Sequence, residues 1–247
     1  MGQPMMNVHE FILRMCLAAK VKSLYVKGAF GAPANQVNKL RYTKNNVYNK
    51  RPDRTAKIMA ADDDCFFSDC CGIIKGVLWG FCADASKRYG GAEYKSNSVP
   101  DVGADGMIKA CKDATKDFSK IEAGMLVWMS GHVGIYIGEG MVVESTPSFN
   151  DGCQITYLGN IGYKTGNWRN WTKCGHLPWV DYKTTNGEEK PANEPNSSAE
   201  RYYTVVKGDT ATKISRKYGI SLEEFKNLNP QIKDISKIYV GQKVRVS

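Results

Sequence analysis

The sequence predicts an α+β fold in two parts: a helix-borne cysteine packed on an antiparallel sheet, and a separate small βααβ module. Three observations carry this. Ile73, Ile74, Val77, Leu78 and Phe81 recur at helical spacing within Asp69–Asp84. From Gly124 onward the apolar segments become short and β-branched, with glycine-rich turns between them. Residues 183–200, KTTNGEEKPANEPNSSAE, have two prolines, no aromatic and no aliphatic larger than Ala, so they cannot bury enough surface to offset chain entropy.

The elements follow in chain order. Asn7–Lys20 reads as a helix, with Asn7 as N-cap and Glu10 three residues on, close to a capping box. Residues 38–57 carry seven Lys/Arg and one Asp and read as a solvated loop or lid. Asp69–Asp84 is the next helix. Met125–Met129, His132–Ile137 and Met141–Glu144 read as strands. After the tether, YTVVKGDT opens with a strand, Thr212–Tyr218 and Leu222–Asn227 fit two short helices, and Ile238–Val246 closes with a strand. The expected domains are therefore 1–182, a linker 183–200, and 201–247. The βααβ unit occurs once, so the chain is not a repeat array.

Composition narrows the function. Apolar residues make up 42% of 247, enough for a real core. No stretch approaches the roughly 18 uninterrupted apolar residues of a membrane span. Phe11–Val26 contains Arg14, Lys20 and Lys22 and reads poorly as a secretory signal, so the chain is expected to be made without an export signal of its own. Under that expectation the eight cysteines stay reduced, serving packing, metal or catalysis. Net charge is +9, and residues 201–247 hold 10 basic and 4 acidic residues. Such a module favours a polyanionic neighbour, nucleic acid or an anionic wall, and no nucleic-acid-binding motif accompanies the charge.

One stretch carries chemistry. Phe67-Ser68-Asp69-Cys70-Cys71-Gly72 places a cysteine in the first turn of an apolar helix, where unpaired N–H groups favour thiolate. Asp69 can cap the helix, and Gly72 lets a substrate backbone come close. Cys71 lies about 100° further round the helix and reads as packing, out of Cys70's view of the cleft. Cys16, Cys82, Cys111, Cys153 and Cys174 read as buried small hydrophobes.

A thiolate nucleophile needs a base, and the base an orienting group. His132 begins the strand HVGIYIG and shares a face with Gly134 and Tyr136; the small Gly134 leaves room beside it. Glu144 ends MVVE. The two share a face if the hairpin around Glu139-Gly140 has an odd loop; a two-residue loop opposes them. His176, in CGHLPWVDY, reads as structural or cleft-lining, and His9 as solvent-facing. Cys65, Cys70 and Cys71 lack C-x-x-C spacing and crowd one helix start, which argues against structural zinc. Asp62-Asp63-Asp64 reads as a solvated turn, with Ca²⁺ binding as the alternative.

These residues resemble a known family. DCCGIIKGVLWGF, followed about 60 residues later by GHVGIYIGEGMVVES, resembles the NlpC-type cysteine peptidases, papain-like enzymes that cut peptidoglycan stem peptides. Cys71 replaces the family's usual Ser, and Glu144 stands where many members have His or Asn. Tyr25-Val26-Lys27-Gly28-Ala29-Phe30-Gly31 resembles the family's Tyr-x-x-Gly-Gly segment, which lines the cleft. The resemblance implies catalytic Cys70, His132 and Glu144, with Tyr25 and Asp69 on substrate and no cofactor or metal.

The tail resembles a LysM module, which binds N-acetylglucosamine-containing glycans. Tyr203–Thr210, Leu228-Asn229-Pro230 and Val240–Val244 match its signatures, and its binding positions fall on Asp209, Thr210, Asn229, Pro230 and Ile232. Together the resemblances imply a peptidoglycan hydrolase, most directly a phage endolysin acting as a γ-D-glutamyl endopeptidase. Such an enzyme is made in the host cytoplasm and released to the wall at lysis. The alternatives are an N-acetylmuramoyl-L-alanine amidase of the same fold and a non-catalytic glycan-binding LysM protein.

Overall fold

Asn7 does what its position in the sequence predicts. In the computed structural model, β1 (Met6–Asn7) leads into α1 (Val8–Lys20), and the Asn7 side chain accepts the Glu10 N–H at 2.8 Å. The structure describes residues 5–183, 202–205, 209–218, 220, 222–235, 237–239 and 241–246. The expected tether beyond Lys183 lies outside them, as do residue 201, 206–208 and 240 of the expected terminal module. The chain divides into two compact units, Met1–Gly187 and Glu188–Ser247. Among the described residues no helix is long and apolar enough to cross a membrane.

The first unit continues with β2 (Ser23–Tyr25), β3 (Phe30–Pro33), α2 (Gln36–Asn45), α3 (Pro52–Ala60), β4 (Phe66–Ser68), α4 (Cys70–Leu78) and α5 (Ala104–Ala110). Then come β5 (Leu126–Met129), β6 (His132–Gly138), β7 (Met141–Thr146), β8 (Gly152–Leu158), β9 (Trp168–Arg169), β10 (Lys173–Gly175) and β11 (Val180–Asp181). Six strands form one sheet in the order β10-β5-β6-β7-β8-β9, antiparallel except for β8–β9. A smaller sheet, β2-β4-β3, feeds directly into α4. Alternation along the strands gives the large sheet two apolar faces. Val133, Ile135 and Val143 pack with α1 and α4, through Phe11, Met15, Ile74 and Val77. Val127, Tyr136, Val142 and Trp171 form a second cluster.

Residues 38–57 correct the expected solvated loop. Apart from the connection at 46–51, they lie within α2 and α3, which pack on β2–β4 through Tyr42, Ile58 and Phe67. Asn35 caps α2 by accepting the Asn38 N–H at 3.0 Å. Charge masked the helical pattern because some of the charges point inward. Lys39 and Arg54 are buried, Lys39 against Asp63 at 3.2 Å and Arg54 against Asp151 at 2.6 Å.

The helix expected over Asp69–Asp84 stops at Leu78. Gly80 takes a left-handed φ of +99°, and the Phe81 N–H returns to the Gly76 carbonyl at 2.7 Å, so the chain turns off there. Cys82 therefore lies beyond the helix and is exposed, not buried as expected. Asp62, Asp63 and Asp64 are exposed, with Lys22 beside Asp62 and Asp64 and Lys39 beside Asp63.

The second unit has β12 (Tyr202–Thr204), α6 (Ala211–Tyr218), α7 (Leu222–Leu228) and β13 (Lys243–Arg245). β12 and β13 pair antiparallel. Val205, Ile214, Phe225, Ile232 and Val244 make its core.

Candidate active site

The site begins with a helix start that the sequence over-determines. Asp69 caps α4: its Oδ1 accepts the Gly72 N–H at 2.6 Å and its Oδ2 accepts the Gly28 N–H at 2.7 Å. One carboxylate thus ties the cysteine helix to the turn after Tyr25. The expectation that Gly72 clears space for substrate is corrected. A Cβ there would sit 1.9 Å from the Ala29 carbonyl oxygen, so the glycine admits the protein's own backbone.

Cys70 follows at the first helical position, and its sulfur meets three groups. The Cys71 sulfur lies 3.8 Å away. Its thiol, the Val133 N–H and the His132 imidazole all hydrogen-bond the Cys70 sulfur. The Cys71 hydrogen bond leads the effects that carry the Cys70 thiol to about 4, with His132 and the Val133 N–H adding to it against the opposing pull of burial. Cys65, Cys111 and Cys174 move the other way, to about 11, 12 and 11, because burial disfavours their charged form. Burial pushes Cys153 up as well. Cys71 is raised too, chiefly because it donates to Cys70. Cys71 is therefore not the bystander that a 100° helical offset implies: its sulfur touches that of Cys70 and lines the same cavity.

His132 opens β6, and Glu144 lies two residues from the end of β7. They share a face, but not by the odd loop considered above. The loop between Gly138 and Met141 has two residues, Glu139 and Gly140, at φ +52° and +73°. A bulge shifts the register between Tyr136 and Gly138, adding the residue that restores parity. His132 Nε2 lies 2.6 Å from Glu144 Oε2. Burial lowers the basicity of His132, yet the hydrogen bonds and charges of Cys70 and Glu144 outweigh it and raise the imidazole to about 9. With Nε2 engaged by Glu144, Nδ1 is the ring nitrogen left for the sulfur. The space beside Gly134 is filled, with Val142 Cγ1 2.6 Å and Trp171 3.2 Å from where a Cβ would stand.

Three participants were missed in the sequence. Glu144 Oε1 accepts from Thr156 Oγ1 at 2.5 Å and from Arg169 Nε at 3.0 Å. Trp171 stacks on His132, with centroids 5.4 Å apart and planes 13° from parallel. The Asn-Trp-Arg-Asn-Trp run at 167–171 is the signal that could have drawn attention to two of them.

Two cavities flank the start of α4 and share Asp69 and Lys75. One, about 360 Å³, is lined by Tyr25, Asp69, Cys70, Cys71 and Asp105 among others. Tyr25 keeps its phenol proton, since burial and the nearby Cys70 and Asp69 charges push its ionisation up. Asp69 is raised to about 6, by burial first and the Cys70 charge second. The other, about 480 Å³, is lined by Phe30, Arg41, Arg88, Tyr89, Tyr94 and Asp101. Arg41 Nη1 donates to Tyr89 Oη at 2.8 Å, and Arg88 lies over the same ring, 5.1 Å from its centroid. His176 stands outside both lining sets, with Nδ1 2.5 Å from Asp113. His9 is exposed.

In the second unit the expected glycan residues divide. Thr210 and Pro230 are exposed. Thr210 Oγ1 accepts the Lys213 N–H at 3.2 Å, and Asp209 Oδ2 accepts from Tyr203 Oη at 2.8 Å. Asn229 and Ile232 are corrected: both are buried. Asn229 Nδ2 donates to the carbonyls of Phe225 and Arg245, each at 2.8 Å, and Oδ1 accepts the Arg245 N–H at 2.7 Å. Its side chain is spent on the fold.

Comparison with known proteins bears on both units. Residues 203–247 match the LysM domain family. Among curated proteins, a chlorophenol reductase of Desulfitobacterium hafniense is 45% identical over 49 residues, 20% of this chain and 15% of that protein. An endolysin of Bacillus phage B103 is 39% identical over 57 residues, 23% of this chain and 22% of that protein. The chain thus spans under a quarter of the length of either relative. Among solved structures, RipD of Mycobacterium tuberculosis, described as a non-catalytic NlpC/p60 domain protein adapted to peptidoglycan binding, covers 69% of this chain and 95% of its own. Identity there is 15% and the TM-score 0.36. The firm assignment is at the C-terminus: residues 203–247 are a LysM domain, the kind of module that binds peptidoglycan glycan.

Proposed function

We propose that the first unit hydrolyses an amide bond of the peptidoglycan stem peptide while the LysM domain holds the chain on the wall. The observation that carries this is the continuous chain of contacts from the Cys70 sulfur through His132 to Glu144, at the mouth of a cavity. The Cys70 thiolate attacks the amide carbon, and the carbonyl electrons move to oxygen. His132, protonated, gives its proton to the departing amine as the C–N bond breaks, leaving a thioester. Water then attacks the thioester, His132 takes one of its protons, and the C–S bond breaks to release the Cys70 thiolate and a carboxylic acid, which loses its proton to solvent. The Tyr25 hydroxyl and backbone N–H groups at the start of α4 supply donors for the oxyanion. Glu144 orients the imidazole and balances its charge.

The Arg41–Arg88 cavity favours the γ-D-glutamyl endopeptidase reading. A D-glutamyl residue linked through its γ-carboxyl keeps a free α-carboxylate beside the scissile amide. Two guanidinium groups next to Asp69 suit that carboxylate, and Asp69 suits the ammonium of a preceding L-Ala. The amide of N-acetylmuramoyl-L-alanine offers neither charge at that place. An endolysin role belongs to the same proposal, supported by the 57-residue similarity to the phage B103 protein.

The test is clearing of purified walls with mass analysis of the fragments. Wild-type chain is expected to clear walls and release fragments with a new D-glutamate γ-carboxylate, and Cys70→Ala to bind without clearing. Fragments cut at the sugar–peptide amide would move the reading to the amidase. Clearing that survives Cys70→Ala would overturn the mechanism, and wall binding by a wild type that never clears would make the chain a non-catalytic glycan-binding protein.

A further inference from the structure

Asp69, Cys70 and Cys71 each present a metal-ligating atom, and these atoms lie within 4.8 Å of one another. Two thiolates on one tetrahedral Zn²⁺, at Zn–S of about 2.3 Å, stand about 3.8 Å apart. The Cys70 and Cys71 sulfurs are already 3.8 Å apart. His132 hydrogen-bonds the same Cys70 sulfur, and its Nε2 is held by the Glu144 carboxylate. That carboxylate–imidazole arrangement is the one that orients histidines toward zinc. The cavity lined by Tyr25, Cys70, Cys71 and Asp105 gives an ion access. The sequence argued against structural zinc because C-x-x-C spacing is missing. Adjacent thiols at a helix start need no such spacing, because the fold sets the distance between their sulfurs.

We infer that the vicinal Cys70–Cys71 pair, with Asp69 and with His132 beside the Cys70 sulfur, is a reversible binding site for a thiophilic divalent cation of the zinc–cadmium class, the ligands being Asp69, Cys70 and Cys71. Two sulfurs select such ions over Mg²⁺ and Ca²⁺, which take oxygen. Binding replaces the Cys71 S–H bond with a metal–sulfur bond and releases that proton to solvent, while the Cys70 thiolate donates a lone pair. No oxidant or reductant is needed. Because the ion sits on the Cys70 sulfur, occupancy removes the nucleophile of the proposed hydrolysis, so bound zinc holds the enzyme off until a chelator removes it. The site itself stands whether or not Cys70 is a nucleophile.

Cadmium is the probe, because its thiolate charge-transfer band in the ultraviolet counts sulfur ligands without any activity measurement. The reduced full-length chain is titrated with Cd²⁺, with Cys71→Ser, Cys70→Ser and the Cys70→Ser/Cys71→Ser double variant beside it. Thermal melts confirm that each is folded; should Cys70→Ser fail to fold, Cys71→Ser alone decides. The wild type is expected to bind one ion at these residues with a two-thiolate band. Cys71→Ser is expected to show half that intensity and weaker binding, by more than the roughly 10–100-fold that losing an outer partner of a metal ligand costs. The double variant loses the band. A two-thiolate band that persists in Cys71→Ser or in the double variant overturns the site, because other cysteines then hold the metal. A wild type without the band overturns it too. A further readout is inhibition of wall clearing by Zn²⁺ reversed by EDTA. A wild type that shows the band but never clears walls leaves the metal site in place and removes only the hydrolase reading.

Discussion

Glu144→Gln isolates the orienting group with the least disturbance of shape. Glu144 is fully buried and accepts from His132, Thr156 and Arg169. Its carboxylate accepts the Nε2–H of His132 and leaves Nδ1 facing Cys70. A glutamine can keep Oε1 toward Thr156 and Arg169, but then its NH₂ faces His132 Nε2 and needs an acceptor there. The neutral imidazole must carry its proton on Nδ1, pointing at the sulfur, where it cannot accept one. Flipping the amide restores the acceptor toward His132 but turns NH₂ against the Arg169 Nε–H at the 3.0 Å position. Either orientation loses one bond. The wrong tautomer costs about 10⁴-fold in turnover in a serine triad, about 5.5 kcal/mol of transition-state stabilisation. The same order is expected here. The lost bond costs about 1–3 kcal/mol of folding stability, and each kcal/mol lowers Tm by about 2–4 °C in a unit of this size. The assay pairs wall clearing with the pH dependence of Cys70 alkylation by iodoacetamide, read by mass spectrometry at that peptide. The alkylation midpoint should rise well above the wild-type value, since the imidazolium partner is weakened. Turnover within about threefold of wild type, or an unmoved alkylation midpoint, would refute the reasoning.

Five further outcomes follow from the structure. The productive form pairs a Cys70 thiolate with a protonated His132, so kcat/KM should be bell-shaped, falling below about 4 as the sulfur protonates and above about 9 as the imidazolium loses its proton. The raised His132 basicity also contributes stability that is complete below its ordinary value of 6.5 and lost as pH rises through about 9, which a pH series of thermal melts reads. Gly72→Ala forces a Cβ to within 1.9 Å of the Ala29 carbonyl, and the strained start of α4 should cost about 1–3 kcal/mol or more by chemical denaturation, with Cys70 alkylation losing its low-pH reactivity. In the LysM domain, Asn229→Ala removes a buried side chain that serves three backbone groups, at about 1–3 kcal/mol each, and should lose wall binding because the domain unfolds. Thr210→Ala should weaken wall binding with the domain still folded, as circular dichroism distinguishes.

By itself the sequence determined what local chemistry can determine. Asn7 and Asp69 announce helix starts because their side chains reach an N–H three residues on, an interaction contained within one turn. Strand alternation put His132 and Gly134 on one face because the pleat has a period of two. The LysM signatures lie within 45 contiguous residues and are matched as a unit. The tertiary structure decided whatever depends on long-range partners. Residues 38–57 read as solvent-facing because the partners of their inward-turned charges, Asp63 and Asp151, lie 24 and 97 positions along the chain from Lys39 and Arg54. Gly72 looked open to substrate until Ala29 filled its space. Arg169 and Thr156 could not be assigned to Glu144 from spacing, since two further strands bring them there. The nearness of the two sulfurs was hidden for the same reason: a 100° helical offset describes where side chains leave the backbone, while the surrounding walls decide where their ends meet.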